Sequence, residues 1–151
     1  MDFPSSHRLR RGRFSISGQR YLLTTSVRNR QPIFRDLQAA RITIRQMRIA
    51  HETDQACSLA WVLMPDHLHW LVELRQASLA SLMRQLKYRS TFLINRACQR
   101  QGPLWQQGFH DRALRRDEDV RTVARYIVAN PIRAGLVSRA GLYSHWDATW
   151  L

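Results

Sequence analysis

The sequence predicts an α+β fold: an antiparallel sheet in the order βαββαβ with both helices on one face, plus an extra C-terminal helix. Three observations predict it. Strand-type runs rich in β-branched, aromatic or alternating residues occupy 20–28, 59–64, 67–74 and 104–114, and two stretches between them repeat apolar residues at helical spacing. At 151 residues the chain is the size of one domain with a real core.

The elements follow in order. Arg20 to Arg28 is the first strand, closed by a turn signal from Asn29 to Pro32. Asp36 is the expected N-cap of a helix over 36–50, in which Leu37, Ala40, Ile44 and Met47 recur at helical spacing while Arg41, Arg45 and Arg48 line one flank. Leu59 to Met64 is the second strand, and Pro65-Asp66 makes a tight connection into the third. Ser78 caps a long helix whose stripe is Leu79, Leu82, Met83, Leu86, Leu93, Ile94 and Ala97, ending before Gly102-Pro103. Leu104 to Leu114, with Trp105, Phe109 and Ala113 alternating, is the expected fourth strand.

This order is the split βαβ, ferredoxin-like arrangement, in which the first and third strands are central. The third strand carries His67-Leu68-His69-Trp70-Leu71-Val72-Glu73-Leu74. Successive side chains point to opposite faces, so Leu68, Trp70, Val72 and Leu74 should pack on the helices while His67, His69, Leu71 and Glu73 face outward. Two imidazoles two residues apart on a strand can share one divalent cation if a third ligand arrives from elsewhere. The outward face needs a cover. The expected cover is a last helix with Asp117 as N-cap, Glu118 and Asp119 in its first turn, and Val120, Val123, Ala124 and Ile127 as its apolar stripe. It carries Tyr126 and Asn130 four residues apart, hence on one face, and should end at Pro131.

Charge limits the partners. The chain has 24 Lys+Arg against 11 Asp+Glu, a net charge of +13, and arginine supplies almost all of the positive side. Arginine forks match phosphate oxygens, so nucleic acid is the expected partner. Arg8, Arg10, Arg11 and Arg13 form a basic N-terminal arm; with Arg41, Arg45, Arg48 and Lys87 they are the candidate nucleic-acid-binding residues. Cys57 and Cys98 are too few for a disulfide framework and lack metal-site spacing, which fits a reducing, intracellular setting. Met1 to Arg13 has no apolar leader core, and Leu59 to Met64 is too short to span a bilayer, so neither secretion nor membrane insertion is expected. Trp61, Trp70 and Trp105 read as core, whereas Trp146 and Trp150 suit base stacking as well as packing.

Three motifs now stand in order: Met64-Pro-Asp-His-Leu-His69, Leu104-Trp-Gln-Gln-Gly-Phe-His-Asp-Arg112, and Tyr126-Ile-Val-Ala-Asn-Pro-Ile-Arg-Ala-Gly-Leu-Val137. Together they closely resemble the single-tyrosine HUH transposases, in particular the branch of REP-associated tyrosine transposases. The resemblance covers residues 18–140, leaving the arm at 1–17 and a tail at 141–151. It implies a metal-dependent single-stranded DNA endonuclease and strand transferase acting on DNA hairpins through a 5′-phosphotyrosine. Tyr126 matches the nucleophile, His67 and His69 the paired metal ligands, and Asn130 the third ligand, where better-known relatives have Gln. Asp66 stands where relatives often show Asn and reads as turn chemistry; His110 and Asp111 lie in the matching segment. The expected cofactor is a divalent ion, Mg²⁺ or Mn²⁺: imidazole ligands permit several transition metals, and two nitrogens with an amide oxygen do not exclude Mg²⁺. The expected setting is the bacterial cytoplasm, at the nucleoid. Monomer and homodimer both stay open.

The chain has no Walker-type GxxxxGK[ST] loop, consistent with transesterification that needs no nucleotide cofactor. A binding module for structured single-stranded DNA or RNA, with little or no cleavage, is the alternative. The glycine-aromatic RNP1 pattern and the His-x-Glu…Pro-Cys-x-x-Cys signature are absent, which disfavours an RNA-recognition domain of that type and a zinc deaminase.

Overall fold

The computed structural model describes residues 15–115 and 118–148, so the candidate arm with Arg8, Arg10, Arg11 and Arg13 lies outside them, as do Asp117 and Trp150. Within them the chain runs β1 (Arg20–Ser26), α1 (Leu37–Glu52), β2 (Ala56–Met64), β3 (His67–Leu74), α2 (Leu79–Ala97), β4 (His110–Ala113), α3 (Val120–Val128), a short α4 (Asn130–Arg133) and β5 (Trp146–Ala148). The sheet order is β4-β1-β3-β2-β5, and every described pairing is antiparallel. The predicted ferredoxin-like order is present, with β1 and β3 inside it.

The alternation in β3 divides the molecule into two cores. Leu68, Trp70, Val72 and Leu74 are buried with Ala40 and Met47 of α1 and Met83, Leu86 and Ile94 of α2. Asp36 caps α1 by accepting from the Ala39 amide at 2.9 Å, and Ser78 caps α2 by accepting from the Ser81 amide at 3.1 Å. On the opposite face Leu71 meets Val120, Val123, Ala124 and Ile127 of α3, together with Ala60, Val62 and Met64 of β2. The last helix docks on the outward face as expected, over its β2 side.

Several local expectations are corrected. The fourth strand is only four residues long. Leu104, Trp105 and Phe109 are buried from a loop, where Gly108 at φ 73° turns the chain and Trp105 makes one isolated bridge to Val27. Alternation there reflects burial by distant partners, not a ladder. In α2, Leu93 and Ala97 are exposed and Ser90 takes the buried place, accepting a hydrogen bond from the Trp105 indole at 2.9 Å. The cap of α3 is Asp119, which accepts from the Arg121 amide at 2.9 Å, while Glu118 is drawn instead to Arg112 and the Arg115 amide. The helix carrying Tyr126 ends at Val128, and Asn130 opens a separate short helix with Pro131 near its start, where a missing N–H costs nothing. Strand β5 was not predicted. It pairs with the edge of β2, and Tyr143 anchors the approach to it by donating to the Leu63 carbonyl at 2.6 Å.

Candidate active site

The antiparallel register aligns the outward-facing side chains in rows. Thr24 of β1 lies opposite both His69 of β3 and His110 of β4, and Ser26 lies opposite His67. Directly opposed residues share a face. His67, His69, Thr24, Ser26 and His110 therefore form one polar field beside the helix α3. Because α3 packs over β2 and Leu71, it leaves the β1 and β4 side open. What remains is a groove of about 670 Å³, lined among others by His67, His69, His110, Arg30, Arg112, Tyr126 and Asn130. The predicted nucleophile and all three predicted ligands line this one groove.

The two imidazole rings stand edge to face with centroids 4.8 Å apart. Each is held at Nδ1: His67 by the Asp66 carboxylate at 2.7 Å, His69 by the Thr24 hydroxyl at 3.0 Å. Both Nε2 atoms are thereby left for another partner. Burial lowers the pKa of His69 to about 4, with further lowering from His67, Arg133 and Arg30. Burial also lowers that of His67, against the opposing pull of Asp66. At neutral pH both rings are uncharged and offer a lone pair. The Asp66 carboxyl is pushed up by burial, but hydrogen bonds from His67 and Arg30 outweigh this and hold it below the usual range.

Asn130 donates from Nδ2 to the Ile127 carbonyl at 2.8 Å, which fixes the amide and leaves Oδ1 as its donor atom. Among the described residues no three His, Cys, Asp or Glu side chains converge as a metal cluster. Two imidazole nitrogens and one amide oxygen are the available set; imidazole ligands suit divalent transition metals, and the amide oxygen leaves Mg²⁺ and Mn²⁺ compatible with it. His110 stands across β1 from His69, and among the described residues it does not converge with His67 and His69 into a three-ligand cluster.

Tyr126 is 62% exposed, and the Arg133 guanidinium lies 3.9 Å from its ring centroid. Arg133 also donates to the Tyr126 carbonyl at 2.6 Å. Arg133, Arg30, Arg112 and Thr24 were not singled out from the sequence, and Asp66 was read only as a turn residue. The one local signal was the position of Asp66 directly before the first histidine.

The remaining predicted residues lie elsewhere. Arg41, Arg45 and Arg48 are exposed on α1, in the helix layer across the sheet from the groove. Lys87 of α2 donates to the carbonyls of Gln106, at 2.9 Å, and Gly108, and so holds the loop that forms one groove wall.

Comparison with known proteins identifies the family and the fold. Residues 15–130 match the family model described as "Transposase IS200 like". A REP-associated tyrosine transposase of Escherichia coli K12 is 28% identical over 130 residues, which cover 84% of this chain and 74% of that protein. The fold is shared with a REP-associated tyrosine transposase solved bound to a REP hairpin: the TM-score is 0.74 at 24% identity, over 89% of this chain and 79% of that one. A transposase-like protein of Deinococcus radiodurans gives a TM-score of 0.53 at 20% identity, over 74% of this chain and 88% of the other. With 15–130 matched end to end and the histidine strand and Tyr126 inside that span, the chain belongs to the IS200-like transposase family.

Proposed function

We propose that this chain is a metal-dependent single-stranded DNA endonuclease and strand transferase acting on DNA hairpins of the REP type. The observation that carries the reading is that side chains from three separate elements, His67 and His69 of β3, Tyr126 of α3 and Asn130 of α4, line one groove with arginines at its rim. The curated and structural likeness to REP-associated tyrosine transposases supports the hairpin as substrate.

In this reading His67, His69 and Asn130 hold Mg²⁺ or Mn²⁺. Such a cation would neutralise charge that builds on a non-bridging phosphate oxygen. Arg30, Arg112 and Arg133 add positive charge where the DNA backbone enters. Tyr126 Oη attacks phosphorus in line: the Oη–P bond forms, the P–O3′ bond breaks, and the phenolic proton ends on the departing 3′-hydroxyl through solvent. The resulting 5′-phosphotyrosine keeps the energy of the broken bond. A second 3′-hydroxyl reverses the step and joins strands. Arg41, Arg45 and Arg48 serve DNA that reaches the helix layer, and the N-terminal arginines grip the hairpin or its flank.

The test uses labelled single strands carrying hairpins, incubated with the full chain and Mn²⁺ or Mg²⁺. Cleavage beside the hairpin, abolished by EDTA and absent on plain duplex, is expected. Tight hairpin binding without cleavage in either metal would replace the enzyme with a binding module.

A further inference from the structure

We propose that Asp66 and Thr24 are the positioning residues of the imidazole pair, each holding one ring at Nδ1 so that both Nε2 atoms stay available to a single divalent cation. The inference rests on the metal-binding reading above and adds what holds the ligands in place.

The two holders are chemically unequal. A carboxylate only accepts, so Asp66 Oδ1 at 2.7 Å forces the proton of neutral His67 onto Nδ1 and the lone pair onto Nε2. The Thr24 hydroxyl at 3.0 Å from His69 Nδ1 can rotate to donate or accept, so it orients the ring without dictating the tautomer. With a cation on Nε2, Nδ1 of His69 would carry the proton and donate a hydrogen bond that the Thr24 hydroxyl oxygen accepts.

Asp66 is itself held. Its Oδ2 accepts from Arg30 Nε at 2.9 Å, and Arg30 Nη1 donates to Ser26 Oγ at 3.3 Å. Asn29 and Arg30 have φ of 57° and 54°, a left-handed backbone that non-glycine residues rarely adopt. This unfavourable turn is what delivers Arg30 to Asp66, and backbone strain of this kind concentrates where a side chain must be aimed. The network thus ties the loop after β1, the β2–β3 turn and the first histidine together. A surface turn would need none of this.

The experiment measures Mn²⁺ affinity of the full chain without DNA, for wild type and for Asp66→Ala, Asp66→Asn, Thr24→Val and Thr24→Ser. Loss of an outer-shell partner typically costs 10–100-fold in metal affinity, and Asp66→Ala is expected in that range. Asp66→Asn should fall between it and wild type, Thr24→Val should lose several-fold, and Thr24→Ser should bind as wild type does. Ring ¹⁵N NMR supplies a readout that a folding defect would not mimic: His67 should be the Nδ1–H tautomer in wild type and lose that preference in Asp66→Ala. Mn²⁺ binding and a His67 tautomer unchanged by Asp66→Ala would overturn the inference while leaving the metal reading intact. A wild-type chain that does not bind Mn²⁺ would overturn both. An equal fall in hairpin affinity in EDTA would mark a general disturbance of the groove and also count against it.

Discussion

The two faces of β3 are built from the same eight residues and answer to different rules. On one, Leu68, Trp70, Val72 and Leu74 are each at most 1% exposed beneath two long helices. On the other, a nine-residue helix, α3, covers Leu71 and stops short of His67 and His69. The first face is closed by shape, and the second is left incomplete where the chemistry would occur. A sheet with one short cover can therefore be stable and still present a polar groove. The helix face supplies the stability, and the groove face uses it.

Substitutions on the two faces should separate these roles. The largest effect is expected for Trp70→Ala on the closed face, about 3–5 kcal/mol of lost stability by chemical denaturation, because a fully buried indole leaves a cavity and orphans the Ser58 hydroxyl it bonds at 2.9 Å. His69→Ala on the open face should do the reverse. Cleavage should fall by about 10²–10³-fold while the denaturation midpoint moves far less than in Trp70→Ala, because a neutral imidazole leaves no unpaired charge behind. Comparable stability losses at the two positions would erase the distinction.

Ile127→Ala sharpens the comparison from the cover itself. Ile127 is 1% exposed and sits one residue from Tyr126, so its truncation should cost about 2 kcal/mol and also loosen the helix that presents the tyrosine. Hydrogen exchange should then rise in α3 and not in α1. Protection lost equally in both helices would mean that the two cores unfold as one unit.

The smallest effect is electrostatic. Burial, and secondarily Asp66, raises the Tyr143 hydroxyl to about 12 from its ordinary 10. A folded-state value above the unfolded one means that stability is complete below pH 10 and declines between pH 10 and 12, as the unfolded chain sheds the proton first. Tyr143→Phe should flatten that alkaline decline. An unchanged pH profile would contradict the environment described for Tyr143.

The sheet was legible in the sequence wherever one strand had one buried face. Alternation over His67 to Leu74 fixed which residues face the helices, and both long helices announced their caps at Asp36 and Ser78. Legibility failed where partners are distant. Trp105 and Phe109 alternate like strand residues because α2 and the β1 end bury them, although Gly108 breaks the ladder. The expected cap of α3 was Asp117 and the one that forms is Asp119; the competing bonds of Glu118 to Arg112 and Arg115 are invisible to local pattern. Strand β5 is three residues borrowed from a neighbour's edge.

The site followed the same logic. His67, His69, Tyr126 and Asn130 were reachable through spacing and family resemblance, because each sits in a short recognisable motif. The residues that hold them were not. Arg30 reaches Asp66 across 36 positions of sequence and through a left-handed turn, and Thr24 meets His69 across 45. No periodicity encodes such contacts.

The central claim is that the open-face groove is a reaction centre with Tyr126 as its nucleophile. Its most direct test is to trap the protein–DNA adduct formed on a hairpin substrate with Mn²⁺, digest it, and map the attached nucleotide by mass spectrometry. The account predicts a 5′-linked nucleotide on the peptide containing Tyr126, and no adduct from Tyr126→Phe even though that variant still binds the hairpin. Cleavage that persists in Tyr126→Phe, or a nucleotide attached to any other residue, would contradict it.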